Sequence, residues 1–233
     1  MKNLFLEANK GQYLSSSEQE KLIQTFVNSI SDQVQKILIL PPDTTRKHSG
    51  IGKLTSMLYS KLSDKEVEIM PALGTHSSMT EEQLINMFGE NIPLDRYLVH
   101  CWRDDTVSIG VIPANYVSKV SEGIGEEDIE VKINQKLINS NYDLIISIGQ
   151  VLPHAVIGMS NYSKNILVGC GGEEIINQSH FIGGAYGLER VLGKDHSPIR
   201  KLFDYSEKNF LCDLHITYIL TTNTLDIQKD TGE

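Results

Sequence analysis

The sequence predicts an α/β protein built on a mixed, mostly parallel sheet with helices on both of its faces. Short apolar segments at 36–41 and 143–148 are typical of strands that are buried on both sides. Between such segments, apolar residues recur every three or four positions, as they do along one face of a helix. Strands that alternate with helices favour a parallel sheet, because a crossover helix can return the chain to the same end of the sheet.

The first half of the chain supplies two of the strands and three of the helices. Ser17 and Glu20 have the spacing of a capping box and predict the start of the first helix. Thr80 and Gln83 repeat this spacing before a third, short helix. The strands of this half are predicted at 36–41 and 67–73, and the second helix at 51–62.

The second half adds further strands and then changes in composition. The stretch 106–134 is predicted to be an antiparallel excursion from the parallel sheet. After about Ile182 the sequence becomes rich in glycine and charge. We therefore expect one domain over 1–185, and a linker with the start of a second, truncated C-terminal domain over 186–233. Strands are predicted at 97–101, 106–112, 129–133, 143–148 and 211–221, and a helix at 198–209.

Composition and charge argue against several functional classes. The 233 residues include 30 acidic and 21 basic side chains, for a formal net charge of −9. This balance disfavours non-specific binding to nucleic acid or anionic membranes, which needs basic surfaces. The apolar runs are too short to span a bilayer, and the N-terminus lacks the pattern of a signal peptide. Three scattered cysteines, Cys101, Cys170 and Cys212, predict reduced thiols in the cytoplasm.

Polar groups follow three of the predicted strands. Residues 43–46 (Asp-Thr-Thr-Arg), 74–76 (Gly-Thr-His) and 149–154, which end in Pro-His, each come directly after an apolar segment. Ligands of open α/β sheets bind beyond the carboxyl ends of the strands, so these groups are candidates for one site. Histidine is both a proton carrier near neutral pH and a common metal ligand.

Each of these segments also has a plain structural interpretation. Residues 43–45 could form only a turn and a helix cap, and His76 and His154 could be loop histidines. Lys164 alone would be a solvated lysine, and His180 alone would be a histidine at a helix end. The HExxH, Walker, GxSxG and dinucleotide-binding signatures are absent. The residues alone therefore indicate an α/β enzyme with a histidine-rich site.

Taken together and in order, these segments resemble the lactate racemase family, whose members use a nickel-pincer nucleotide. The family's Asp-x-Thr-Arg motif reads Asp43-Thr44-Thr45-Arg46 here, and its Gly-Thr-His motif reads Gly74-Thr75-His76. Its third motif is Pro-His, a lysine ten residues on and a histidine sixteen beyond that. Pro153-His154, Lys164 and His180 keep this spacing.

The resemblance implies a racemase or epimerase that inverts C2 of a lactate-like 2-hydroxy acid. It implies that Lys164 anchors the pyridinium-3-thioamide-5-thiocarboxylate mononucleotide and that His180 donates a nitrogen to its nickel, which places both residues at the metal. His76 and His154 would be the catalytic acid–base pair. Asp43-Thr44-Thr45-Arg46 would hold the nucleotide, or in the case of Arg46 the substrate carboxylate. Cofactor-maturation proteins are then expected as partners.

The resemblance covers roughly residues 37–221, and family members continue into a second domain. In this interpretation residues 1–185 are a cofactor-binding catalytic domain. Where the family has the glycine-rich motif Ser-Gly-Gly-Arg-Lys, this chain has Asn161-Tyr162-Ser163-Lys164. Three alternatives stay open: a non-catalytic domain that binds the pincer cofactor, a zinc-dependent hydrolase built on three histidines, and an α/β protein without a metal. The histidines of the zinc alternative are His76, His154 and His180.

Overall fold

Four parallel strands form the central sheet of the computed structural model, which describes residues 3–9 and 12–222. The second and first strands of the chain lie side by side, and the fifth and eighth follow across the sheet. In this spatial order they are β2 (Glu66–Ile69), β1 (Lys36–Leu40), β5 (Leu144–Gln150) and β8 (Ile216–Thr221).

Helices and shorter strands connect and cover this sheet. Within the described residues, no helix combines the length and apolarity that a membrane crossing requires. The helices are α1 (Ser16–Val27), α2 (Ile51–Lys61), α3 (Glu81–Phe88), α4 (Ala114–Ser121), α5 (Lys136–Asn139), α6 (Ser163–Leu167), α7 (Glu173–Tyr186), α8 (Leu188–Val191) and α9 (Pro198–Phe210), with 3-10 turns at Thr44–Ser49 and Leu94–Arg96. The remaining strands are β3 (Thr106–Ile112), β4 (Ile129–Asn134), β6 (Pro153–His154) and β7 (Gly158–Met159).

Both faces of the central sheet are buried, which confirms the predicted fold class. Side chains alternate along β1, so that Ile37 and Ile39 point to one face while Leu38 and Leu40 point to the other. The first face packs against α1, α2 and α3. The second packs against α6, α7, α9 and the pair β3–β4. A strand that is buried on both sides consists of an unbroken run of apolar residues, and such a run can be recognised in the sequence.

The antiparallel excursion is also confirmed, although it forms a separate two-stranded sheet. Strand β3 pairs with β4 and carries an irregularity between Ser108 and Gly110. A β-carbon at Gly110 would lie 2.4 Å from the ring of Phe210 on α9. Glycine therefore lets α9 pack closely on this pair.

Three local predictions were wrong. The first helix is capped by Ser15, which exchanges hydrogen bonds with Glu18, so the capping box lies two residues before the predicted one. Residues 97–101 do not form a strand: Tyr97 makes a single bridge to Ile69, and the chain then leaves the sheet. Strand β2 ends at Ile69, before Pro71, because proline has no N–H to donate to a ladder.

The last helix and strand of the described chain belong to the central sheet and its covering layer. Strand β8 pairs with β5 along its whole length, from Ile145 opposite Ile216 to Gln150 opposite Thr221. It is shorter than the predicted segment 211–221. A domain boundary after residue 185 stays a prediction, and most of the predicted polar end, at 223–233, lies outside the described residues.

Candidate active site

The turn after β1 gives Asp43 two sets of partners. One carboxylate oxygen accepts hydrogen bonds from the backbone N–H of Thr45 at 3.1 Å and from its hydroxyl at 2.5 Å. The other oxygen lies 2.5 Å from Nδ1 of His76. Asp43 is only 6% exposed. The cap predicted from the sequence is therefore present, and the same carboxylate orients a histidine from the next strand end.

His76 enters the site on a tight turn after β2. Gly74 has φ +56°, and its N–H donates to the carbonyl of Gly169 at 2.8 Å, which holds the turn against the segment after α6. The side chain of His76 is 57% exposed. Because a carboxylate accepts hydrogen bonds, Nδ1 of His76 carries the proton that Asp43 binds. In the neutral ring Nε2 is then the nitrogen that can accept a proton.

Lys164 lies in the first turn of α6. The next residue, Asn165, donates from its side-chain amide to the carbonyl of Leu40 at 2.9 Å and to the hydroxyl of Ser147 at 3.1 Å. These bonds place the start of α6 at the carboxyl end of β1. The predicted anchor and the predicted phosphate-binding turn therefore meet at one edge of the sheet.

The electrostatic surroundings of Lys164 favour a neutral amine. Desolvation, followed by the positive charges of Arg46 and Arg200, lowers the pKa of Lys164 to about 8, although Asp43 acts in the opposite direction. The side chain nevertheless keeps partial exposure. With this pKa about a tenth of the amine is unprotonated and nucleophilic at pH 7, far more than for an ordinary lysine.

His154 lies on the short β6–β7 hairpin and is held differently from His76. Its Nδ1 accepts hydrogen bonds from the backbone N–H groups of Val156 and Ile157, both at 3.2 Å. Desolvation, then the charges of Lys164 and His180, lowers the pKa of His154 to about 4. The ring is therefore neutral at pH 7. Since Nδ1 is an acceptor, the proton is on Nε2, which can only donate in this state.

His180 lies within α7 and not at a helix end as the sequence suggested. Its Nδ1 donates to the carbonyl of Ile176, one turn earlier, at 2.6 Å. The lone pair of Nε2 is left unused, and the side chain is exposed. A ring that donates one N–H to a backbone carbonyl and presents its other nitrogen outward has the arrangement found in metal-ligating histidines.

Basic side chains lie close together where these segments meet. The pKa of His154 is lowered by basic groups from four different segments, which lie close enough to act on it. In a chain with a net charge of −9, this local surplus favours an anion such as a phosphate or a carboxylate. The basic groups around His154 are Lys164, His180, Arg46 and Arg200.

Sequence reasoning missed Arg200, and it missed the backbone that precedes Lys164. Arg200 shares α9 with the apolar residues Ile199 and Phe203, and nothing in its spacing reveals that its guanidinium is buried. Asn161 and Tyr162 have φ values of +68° and +54°. Such conformations cost on the order of 1–3 kcal/mol for residues other than glycine. They occur where the family that this segment resembles has two glycines.

The side chains of the candidate site determine which kind of metal group they could hold. Among residues 3–9 and 12–222, no three His, Cys, Asp or Glu side chains converge so as to hold a metal ion. The buried Cys170 has its pKa raised to about 12 by desolvation, so its thiol stays protonated. A zinc site built on three histidines is therefore not supported. One nitrogen from His180 and a nucleophilic amine from Lys164 instead fit a metal group that brings further ligands of its own.

Comparisons with known proteins point to one family. A family model described as the lactate racemase N-terminal domain matches residues 14–186. The chain is 30% identical over 178 residues to a lactate racemase of Lactiplantibacillus plantarum, which covers 70% of this chain and 38% of that protein. It is 23% identical over 221 residues to a lactate racemase of Thermoanaerobacterium thermosaccharolyticum, over 87% of this chain and 48% of that protein. The chain thus spans less than half the length of either relative.

Two solved structures share the fold. A crystal structure of a Thermotoga maritima protein has a TM-score of 0.83 and 23% identity, over 95% of this chain and 54% of that one. The structure of the lactate racemase apoprotein from Thermoanaerobacterium thermosaccharolyticum has a TM-score of 0.62 and 22% identity, over 87% of this chain and 48% of that one. At these identities the likeness is one of architecture.

Proposed function

The chain belongs to the lactate racemase family, and from this premise we propose that it is the cofactor-binding part of an isomerase that inverts C2 of a lactate-like 2-hydroxy acid. One observation carries the proposal. Lys164, whose pKa is lowered, and His180, whose Nε2 is unused, both lie close enough to His154 to lower its pKa. The three residues meet at the carboxyl edge of the sheet. The pair of Lys164 and His180 suits a covalently attached metal nucleotide better than a protein-ligated ion.

The residues present fit the nickel-pincer nucleotide. The amine of Lys164 would form the thioamide link, and Nε2 of His180 would be the protein nitrogen on Ni(II), which favours square-planar nitrogen and sulfur ligation. In the turn of Thr44, Thr45 and Arg46, the Arg46 guanidinium would hold the phosphate, because the backbone N–H groups of Thr45 and Arg46 already donate to Asp43. When bound, this group would supply the chemistry of taking up the C2 hydrogen as a hydride and returning it.

The role of Asp43 follows from its contacts. Its two oxygens are occupied by Thr45 and by Nδ1 of His76. A buried carboxylate would repel a phosphate, so we assign Asp43 to orienting His76 rather than to direct contact with the nucleotide phosphate. This leaves Arg46 as the group that binds an anion, either the phosphate or the carboxylate of the 2-hydroxy acid.

The protein's own part in the reaction is to handle the hydroxyl proton. As C2 loses a hydride, the hydroxyl becomes a carbonyl and its proton must leave. Nε2 of His76 would accept this proton, and the negative charge of Asp43 would stabilise the resulting imidazolium. Nε2–H of His154 would donate a hydrogen bond to the same oxygen. For His154 to act as a base toward the opposite enantiomer, it must first release the N–H groups of Val156 and Ile157.

A second candidate is a domain that carries the cofactor without turnover. It is favoured by the family match, which is to a model of the N-terminal domain alone. Under both proposals the partners are cofactor-maturation proteins and the location is the cytoplasm; under the first, a small 2-hydroxy acid binds as well. Assay of a panel of 2-hydroxy acids separates the two, because only an isomerase interconverts enantiomers.

The attachment itself can be tested by mass. The chain is expressed in cells that assemble the nickel-pincer nucleotide, and the peptide that contains Lys164 is measured. We expect the mass of the attached nucleotide on this peptide, together with nickel in the intact protein. Lys164→Ala should lose both, whereas Lys201→Ala, which changes an exposed lysine on α9, should keep both. Nickel loading that persists in Lys164→Ala would contradict the assignment.

A further inference from the structure

Arg200 is a buried cation whose guanidinium donates hydrogen bonds to two backbone carbonyls and a hydroxyl rather than pairing with a counter-ion. Only 6% of the residue is exposed. Its guanidinium donates to the carbonyl of Met159 at 2.6 Å, to the carbonyl of Asn161 at 3.2 Å and to the hydroxyl of Ser163 at 3.2 Å. Within the described part of the chain, no carboxylate lies at ion-pair distance from it. A buried charge is costly unless polar groups satisfy it, so these three acceptors are essential to it.

All three acceptors belong to one short turn that ends at Lys164. Within this turn Asn161 and Tyr162 both have positive φ, a conformation that such residues keep only when their surroundings impose it. The planar fork of an arginine can bind several acceptors in a fixed geometry, which a lysine ammonium cannot do. The guanidinium therefore spans the turn from Met159 to Ser163 and fixes its shape.

We propose that Arg200 is a positioning residue for the anchor lysine. It holds the turn at 159–163 so that α6 begins at Ser163 and the amine of Lys164 is directed into the site. Asn165 holds the same helix from the sheet side through the carbonyl of Leu40, so Lys164 is fixed between two sets of contacts. The role of Lys164 as the anchor rests on the proposed function. The hydrogen bonds of Arg200 to the turn do not depend on that function.

The test compares three variants of the full chain. Arg200→Met removes the charge and the fork, Arg200→Lys keeps the charge without the fork, and Arg190→Met is a matched control. Arg190 is an exposed arginine whose guanidinium pairs with Glu122 at 2.7 Å. This partner is not part of the turn at 159–163. Amide hydrogen exchange, thermal unfolding and the mass of nucleotide bound to the Lys164 peptide are measured for each.

Both Arg200 variants should exchange the amides of Ser160 and Asn165 at least tenfold faster, with β1 unchanged. Nucleotide attachment should fall at least tenfold in Arg200→Met and less in Arg200→Lys, while Arg190→Met matches the wild type. If Arg200→Met does not fold, Arg200→Lys carries the test alone. Wild-type exchange and attachment in Arg200→Lys would overturn the proposal. Faster exchange throughout the sheet would also overturn it, because it would indicate a general structural role. Absence of nucleotide on the wild type would instead count against the proposed function, and exchange would still decide the role of Arg200.

Discussion

His76 and His154 both follow the end of a strand, yet the chain around them prepares opposite hydrogen-bonding states. At His76 the buried carboxylate of Asp43 accepts a hydrogen bond from Nδ1–H, which leaves Nε2 as an acceptor in the neutral ring. At His154 two backbone N–H groups occupy Nδ1, which leaves Nε2 as a donor. The first ring is mostly exposed, whereas the second is partly buried and its pKa is lowered to about 4.

This difference separates two tasks that the sequence assigned equally to both histidines. A proton acceptor next to a carboxylate is suited to general base catalysis. A neutral imidazole that keeps its N–H can polarise a carbonyl oxygen without becoming charged, as the neutral electrophilic histidine of triosephosphate isomerase does. A scheme with two equivalent bases requires a rearrangement at His154 that His76 does not need. The substitutions below are chosen to break or sharpen this contrast.

The largest effect is expected at His76. A glutamine amide keeps polarity but cannot accept a proton, so His76→Gln should slow oxidation of the 2-hydroxy acid by roughly a hundredfold to ten-thousandfold. Single-turnover formation of the 2-keto acid by the cofactor-loaded protein measures this loss. His196→Gln is the matched control, because His196 also pairs with a carboxylate, Asp195, but on the exposed surface. A loss of less than tenfold in His76→Gln would remove His76 from the role of base.

Lys164→Met is expected to stabilise the cofactor-free chain. The pKa of Lys164 is lowered to about 8 from an ordinary value of 10.5, so between these pH values the unfolded state binds more protons than the folded state. The native lysine therefore destabilises the fold at pH 7, and this cost fades as the pH rises from 8 to 10.5. Allowing for partial exposure, we expect a gain of about 2 kcal/mol at pH 7.

Urea unfolding at pH 7 and pH 10.5 measures this gain, with Lys201→Met as the control. Lys164→Met also removes a positive charge that lowers the pKa of His154, so that pKa should rise. A gain that is equal at both pH values would show that the stabilisation has a cause other than the charge of the lysine.

Much of the scaffold was predictable, because the relevant signals are local. The apolar run of β5 and the capping box of Thr80 with Gln83 each reflect a pattern within a few residues. The segment 97–101 misled for the same reason: its apolar composition fits a strand, but the ring of His100 is instead fixed by hydrogen bonds with Asn134 and the carbonyl of Gly171. Those contacts join distant parts of the chain and leave no trace in local spacing.

The resemblance to a known family pointed to His76, His154, Lys164 and His180, and their roles stay predictions. No pattern in the sequence indicated their protonation states. The tautomer of His154 depends on where two backbone N–H groups point, and the state of Lys164 depends on charges brought by other segments. The burial of Arg200 likewise follows from tertiary packing of α9.

A smaller effect is expected from the same substitution at His154. The amide nitrogen of glutamine can replace the Nε2–H donor, so His154→Gln should slow oxidation by only about tenfold, the equivalent of one weakened hydrogen bond. His154→Ala, which removes the donor, should slow it more. Single-turnover rates for each separate enantiomer provide the comparison. Equal losses in His154→Gln and His76→Gln would indicate two equivalent bases.

The smallest effect is a dependence of stability on acid. The pKa of His154 is lowered to about 4 from 6.5, so the unfolded state binds more protons than the folded state between these values. The free energy of unfolding should therefore fall by about 1 kcal/mol on acidification from pH 6.5 to 4, after allowance for screening at a partly exposed ring. His154→Gln should lose this component. A pH profile of urea unfolding that is unchanged in His154→Gln would contradict the lowered pKa.

The most direct test of the contrast is the ¹⁵N NMR spectrum of the two imidazole rings in the cofactor-free chain. At pH 7 we expect His154 to carry its proton on Nε2, with Nδ1 unprotonated, and to titrate near pH 4. His76 should carry its proton on Nδ1, and Asp43→Asn should disturb this state without affecting His154. If His154 instead carries a proton on Nδ1 and titrates near pH 6.5, the two histidines are equivalent, and the division of roles proposed for them is wrong.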